Sequence, residues 1–201
     1  MLAEEGDVEE ARAWLLRAAT QGYSHAMYNL GVLMEKQEDS EGARLWYGRA
    51  ADAGRTDAMH LLGSLLESEG DAEGAAAWYE RAGMTGDPVA LFKLGALRYQ
   101  SGDADGARVC WQLAADRDDA TSMFNLGALD HEQGDAEGAL AWFVRAAEAG
   151  DTDTMHLLGS LLEDEGTPRE PESGTSAPKR PATRDASNLV KVDDVNPRPP
   201  G

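Results

Sequence analysis

Cysteine is almost absent. Cys110 is the only one in 201 residues, so no intramolecular disulfide can form. Basic residues are scarce as well: Lys plus Arg number 18 against 37 Asp plus Glu, a formal net charge of −19. A surface of that sign repels nucleic-acid backbones and anionic membranes, so neither is expected as a partner. No apolar run approaches the roughly 18 residues that a membrane-spanning helix needs. The start, Met1-Leu2-Ala3-Glu4-Glu5, is acidic where a secretory leader would be basic. No alternation of apolar and polar residues in the body argues for a strand. Together these absences predict a soluble, cytoplasmic, all-α protein.

What is present is a repeat. Leu-Gly occurs at 30/31, 62/63, 94/95, 126/127 and 158/159, a fixed step of 32 residues. A fixed step in this range marks stacked supersecondary units. Met59-His60-Leu61-Leu62-Gly63-Ser64-Leu65-Leu66-Glu67 returns letter for letter as 155–163, three steps later. Each unit predicts two helices. The first carries Leu-Gly. A Gly-Asp turn follows at 70/71, 102/103 and 134/135, and as Glu38-Asp39 in one unit. The second helix carries Ala-x-x-Trp-aromatic-x-Arg-Ala, at Ala43/Trp46/Tyr47/Arg49/Ala50 and again from Ala75 and Ala139. Ala107/Cys110/Trp111 departs from the pattern, and a buried, unreactive thiol is expected at Cys110. Asp87-Pro88 predicts a cap and first helical residue. The repeating methionines Met27, Met59, Met123 and Met155 are expected in the core.

A glycine inside a helix costs roughly 1 kcal/mol against alanine. One that recurs in every unit needs a packing reason. Close approach of the partner helix is expected, with Trp46, Trp78 or Trp142 as the facing side chain. Near the start, Gly6-Asp7 predicts a turn with Asp7 as N-cap, and Ala11, Trp14, Leu15 and Ala18 mark the next helix face. Counting back one step from Leu33 reaches Met1, so the chain is expected to begin at the end of a helix.

From Gly166 the pattern stops. Residues 1–165 carry a net charge of −20, whereas residues 166–201 carry +1 and are rich in Pro, Ser and Thr. Residues 1–166 are thus expected as a repeat array and 167–201 as a disordered tail. A basic tail docking on an acidic groove is the alternative to an inert one. Leu189-Val190-Lys191-Val192 is the tail's apolar cluster and could serve as a recognition peptide.

No residue set for catalysis stands out. His25, His60, His131 and His156 have no second His or Cys at metal-ligating helical spacing, so no cofactor or metal is expected, and a non-enzymatic role follows. From Leu62-Gly63 through Gly70-Asp71, Ala75, Tyr79 and Ala82, the body resembles the tetratricopeptide repeat. Trp78-Tyr79-x-Arg81-Ala82 through Leu94-Gly95 resembles the Sel1-like repeat, as does Arg145-Ala146-Ala147-Glu148-Ala149-Gly150. Both families usually have longer units than 32 residues.

That resemblance implies an α-solenoid of stacked antiparallel helix pairs, right-handed, whose first helices line a concave binding face. Three residues before each glycine stand Tyr28, His60, Phe92, Phe124 and His156; four after it stand Glu35, Glu67, Tyr99, His131 and Glu163. With Ser64 they form the expected partner-binding stripe, although the aromatics could equally pack between repeats. Asn29 and Asn125 match one part of a carboxylate-binding clamp, but its basic members are mostly missing, with Lys93 and Arg98 alone on that side. A basic or apolar protein segment is therefore expected over an acidic one. The expected function is a protein-interaction scaffold. The alternative is a C-terminal fragment of a longer array, which self-associates through its N-terminal helix or caps a larger assembly.

Overall fold

The computed structural model describes residues 2–166, with side chains described for 8–159. The tail expected at 167–201, its apolar cluster included, lies outside the described residues. Among these there are ten helices and no strand: α1 Leu2–Thr20, α2 Ser24–Lys36, α3 Ser40–Asp52, α4 Thr56–Ser68, α5 Ala72–Met84, α6 Pro88–Gln100, α7 Ala104–Ala115, α8 Ala120–Glu132, α9 Ala136–Glu148 and α10 Thr152–Gly166. The fold class is the expected all-α stack of antiparallel helix pairs. Two compact units divide between Leu97 and Arg98. In the first, α2 packs on α3 and α4 on α5; in the second, α8 packs on α9.

The helices end on a finer step than the one the Leu-Gly pairs mark. Gly22, Glu38, Gly54, Gly70, Gly86, Gly102, Asp118, Gly134 and Gly150 all have positive φ, one every sixteen residues. Each closes a helix by the same backbone device. At the first, the Gly22 amide donates to Ala19 at 3.0 Å and the Tyr23 amide to Ala18 at 3.2 Å. These bonds satisfy carbonyls that the helix leaves open, and they need the left-handed conformation that glycine adopts without a Cβ penalty. Glu38 and Asp118 adopt it at φ 59° and 62°.

The second helices start alike too. Asp39, Asp71, Asp103 and Asp135 each accept, at 2.9 Å, the amide of the glycine three residues on: Gly42, Gly74, Gly106 and Gly138. A Cβ on any of the four would fall within 2.4 Å of the capping carboxylate. The repeated Asp-x-x-Gly is a cap with a space reserved for it. Asp87 caps α6 by accepting from Val89 at 2.9 Å, as Asp87-Pro88 implies.

The recurring Leu-Gly glycine does bring helices together, but not against the tryptophan. A Cβ on Gly31 would lie 2.4 Å from the Tyr47 ring; on Gly63, 2.7 Å from Tyr79; on Gly127, 2.6 Å from Phe143. The ring in the notch is therefore the aromatic one residue after Trp46, Trp78 and Trp142. One residue along a helix turns a side chain by about 100°, which carries the tryptophans out of the contact. They lie half-buried instead. Each is covered by the arginine three residues on: Arg49 at 4.7 Å, Arg81 at 4.2 Å and Arg145 at 4.4 Å from the ring centre. The small alanines at 43, 50, 75, 82, 139 and 146 are buried around the notches.

Three further expectations are corrected. No turn forms at Gly6-Asp7, because α1 runs through both. A helical glycine costs only about 1 kcal/mol, too little to break the helix at Gly6. Cys110 is buried as expected, but Trp111 beside it holds the ring position. Met59 and Met123 lie in the core and Met27 is half-buried, whereas Met155 is 47% exposed, since no described element covers that side of α10.

Two stability outcomes follow. Gly63→Ala should destabilise by about 1–3 kcal/mol in urea melts, because the Tyr79 ring has no room to move aside. Gly159→Ala, in the identical nine-residue stretch, should be neutral or stabilising by up to about 1 kcal/mol, since nothing described lies within 4 Å of the added carbon. Equal effects at the two sites would contradict the notch. Glu38→Gly should stabilise by about 0.5–1 kcal/mol, relieving a left-handed residue; a lower melting temperature would refute this.

Candidate functional site

The predicted stripe separates into an internal lattice and a groove. Ring positions and acids come first. Tyr47 sits in the Gly31 notch, and its hydroxyl donates to Glu35 Oε2 at 2.6 Å. Tyr79 sits in the Gly63 notch and donates to Glu67 Oε2 at 2.7 Å. Ser64 Oγ lies 3.0 Å from the same hydroxyl, whose proton is already committed, so the serine donates. Lys93 Nζ stands 3.8 Å from Glu67. Glu35, Ser64 and Glu67 are thus tied to the partner helix rather than held free for a ligand. Sequence reading missed the two tyrosines. The signal was there: each stands sixteen residues after its notch glycine and twelve after its glutamate.

Phe92 and Phe124 are buried. Phe124 meets Phe143 at 5.4 Å between ring centres. A side chain that grips a partner must reach solvent, so these two belong to the packing. In the second unit Tyr99 stacks at 5.7 Å on Trp111 and donates to Glu132 Oε1 at 2.6 Å. Where Tyr47 and Tyr79 carry a hydroxyl, Phe143 has none, and His131 is exposed. His156 is also exposed, and the side chain of Glu163 lies outside those described. Asn125 is fully buried, whereas Asn29 is exposed beside α1. An ion pair that no periodicity announced links Arg108 Nη2 to the buried Asp130 at 2.6 Å, with Gln133 on the same nitrogen at 2.9 Å.

Tyr28 and His60 do line open space. A groove of about 570 Å³ runs over the starts of α4 and α6 and the middle of α2. Its walls include Tyr28, Thr56, Asp57, His60, Thr85 and Asp87. The sequence positions it: Arg55 and Asp87 immediately precede α4 and α6, so their loops bring short polar and acidic residues to one rim. Thr56 and Thr85 hydroxyls meet at 2.9 Å across it. His60 Nδ1 stands 3.8 Å from Asp87 Oδ2, and its ring meets Tyr79 edge-on at 6.1 Å. Arg55 lies 4.9 Å over the Tyr28 ring, donates from Nε to Asp57 at 2.9 Å and pairs a second nitrogen with the other carboxylate oxygen.

The Asp57 carboxyl and the Tyr47 phenol are both displaced from their usual titration ranges. Partial burial alone would raise the Asp57 carboxyl, but the Arg55 fork outweighs it and holds the group below the usual carboxylate range. Burial first, then the hydrogen bond and charge of Glu35, push the Tyr47 phenol well above its usual range. Among the described residues no group of His, Cys, Asp and Glu could hold a metal ion, and no helix is long and apolar enough to cross a membrane.

Residues 3–23 and 24–54 match the Sel1 repeat, and residues 56–82 and 92–154 match the tetratricopeptide repeat. The chain is a Sel1-like, tetratricopeptide-type helical repeat protein. Repeats of this type are generally non-enzymatic and mediate protein–protein interaction. No curated protein matches the chain. Among solved structures, it resembles c5321, a protective antigen of uropathogenic Escherichia coli with an SLR fold, at 27% identity and a TM-score of 0.66. That match covers 78% of this chain but only 37% of the antigen. A Sel1 repeat protein from Oxalobacter formigenes matches at 28% identity and TM-score 0.64, over 80% of this chain and 73% of its own. YrrB, described as a TPR protein with an unusual peptide-binding site, matches at 22% and 0.56, over 80% and 87%, and so shows the fold alone.

The Tyr47 phenol gives this Sel1-like protein a defined alkaline response. The folded chain keeps the proton that the unfolded chain releases near pH 10. Stability from Tyr47 is therefore complete below about pH 10 and falls as pH rises above it. Tyr47→Phe should flatten the alkaline limb of a plot of urea midpoint against pH. An unchanged limb would contradict a buried phenol donating to Glu35.

Proposed function

We propose that this protein is an interaction scaffold that holds an extended, cationic segment of another protein in the groove over α2, α4 and α6. The observation that carries the reading is the composition of that groove. It presents Asp87 beside the His60 ring and two threonine hydroxyls along one open channel, at one edge of which Arg55 already engages Asp57 and the Tyr28 ring. Carboxylates favour lysine or arginine, and rings accept both their charge and their aliphatic stems. The net charge of −19 draws a basic partner in and keeps an acidic one away. The peptide-binding site ascribed to YrrB, on the same fold, agrees with a peptide ligand.

Selection from a displayed random-peptide library on the immobilised chain tests this. Recovered peptides should be enriched in Lys or Arg beside apolar residues, and should bind more weakly as salt rises. Asp87→Asn keeps the helix cap, since asparagine caps as well as aspartate, but removes the charge. It should weaken those peptides by up to about fivefold, the order of one partly screened charge pair, and Tyr28→Ala should do likewise with helical content unchanged. Acidic peptides, or binding indifferent to both changes, would refute the proposal.

A further inference from the structure

Arg55 breaks a local rule that its counterparts keep. Asp87, Asp119 and Asp151 stand one, two and three 32-residue steps after it. Each caps a helix: Asp87 accepts the Val89 amide at 2.9 Å, Asp119 the Ser122 amide at 2.7 Å and Asp151 the Thr154 amide at 2.8 Å. Arg55 holds the same place before α4 and makes no side-chain cap bond. An arginine there forgoes the cap and sets a cation at the positive end of the helix dipole. A residue that weakens its own helix in two ways needs a reason elsewhere.

Its side chain supplies one. The guanidinium lies 4.9 Å over the Tyr28 ring of α2. Nε donates to Asp57 Oδ1 at 2.9 Å, and Nη2 donates to Oδ2 of the same carboxylate. A ring face and a carboxylate fork distinguish a planar guanidinium from an ammonium, which can neither stack nor bond two oxygens in parallel. The pair reaches water, with the Arg55 and Asp57 side chains 17% and 46% exposed. Tyr28 and Asp57 also belong to the wall that continues to His60, Thr85 and Asp87.

We infer that Tyr28 and Asp57 form an arginine-selective subsite of the groove, which Arg55 fills as a stand-in until an arginine of the partner displaces it. The inference rests on the groove reading above and adds the side chain that the partner must present. The exchange swaps one guanidinium for another on the same ring and the same two oxygens. Arg55 is tethered two residues from Asp57. Only a segment already held at Asp87 therefore brings its own arginine in at a local concentration that competes. A lysine cannot reproduce the fork and is left to Asp87 alone. Arg55 thus makes the groove a reader of two points, a cation at one end and an arginine at the other.

Arg55→Ser tests this, because serine caps a helix start and leaves Tyr28 and Asp57 open. Hexa-arginine and hexa-lysine peptides are the probes. Hexa-arginine should bind the variant about three- to tenfold more tightly than the wild type, the order of one exposed fork and one ring contact. Hexa-lysine should gain less, so the preference for arginine widens, with helical content equal in the two proteins. In NMR spectra of the wild type, the Arg55 Nε proton signal should move much further with hexa-arginine than with hexa-lysine. If hexa-arginine binds both proteins equally, or the Arg55 signal stays in place, Arg55 is a fixed clamp between α2 and α4. The inference then fails while the groove reading stands. Equal gains for the two peptides would likewise overturn it. If neither peptide binds either protein, the groove reading fails with it.

Discussion

How closely two helices approach is decided here at one kind of place, where an aromatic ring enters the space of a missing Cβ. At Gly31, Gly63 and Gly127 the ring carbons come within 2.4–2.7 Å of where that carbon would be. No side chain larger than hydrogen leaves this spacing intact. The glycine costs the helix roughly 1 kcal/mol of intrinsic stability, and burial of a large ring offsets it. The ring then sets the polar contacts. Because Tyr47 and Tyr79 are seated at fixed depth, their hydroxyls reach Glu35 and Glu67 on the next turn of the partner helix.

The backbone keeps these contacts in register. Helices of twelve or thirteen residues, from α2 to α9, alternate with turns closed by a left-handed residue, giving one helix every sixteen positions. A longer or shorter helix would rotate its face by about 100° per residue and carry the glycine away from its ring. The four Asp-x-x-Gly caps defend the second helices' starting points. Length, cap and notch thus depend on one another.

Fold class and repeat length were legible because both are written as periodic spacing. The helix cap at Asp87-Pro88 and the burial of Cys110 were legible for similarly local reasons. Which aromatic fills the notch was not. Trp46 and Tyr47 are adjacent and both large, and only the rotation of α3 about its axis chooses between them. The same limit explains the stripe. Spacing placed Tyr28, His60 and Glu67 on one side of their helices, but could not tell Tyr28, which lines the groove, from Phe92, which is buried. Arg108 and Asp130 were invisible because their link joins different helices and occurs in one repeat alone.

The groove is a place where this scheme of packing is left open. If rings in notches hold the helices, then helices for which no ring-in-notch contact is described should be the least protected. Amide hydrogen exchange on dilute protein measures this most directly. Protection should be high across α3–α5 and α8–α9 and low in α1 and α10. Protection of α1 and α10 equal to that of the inner helices at high dilution would contradict the notch contact as the source of stability.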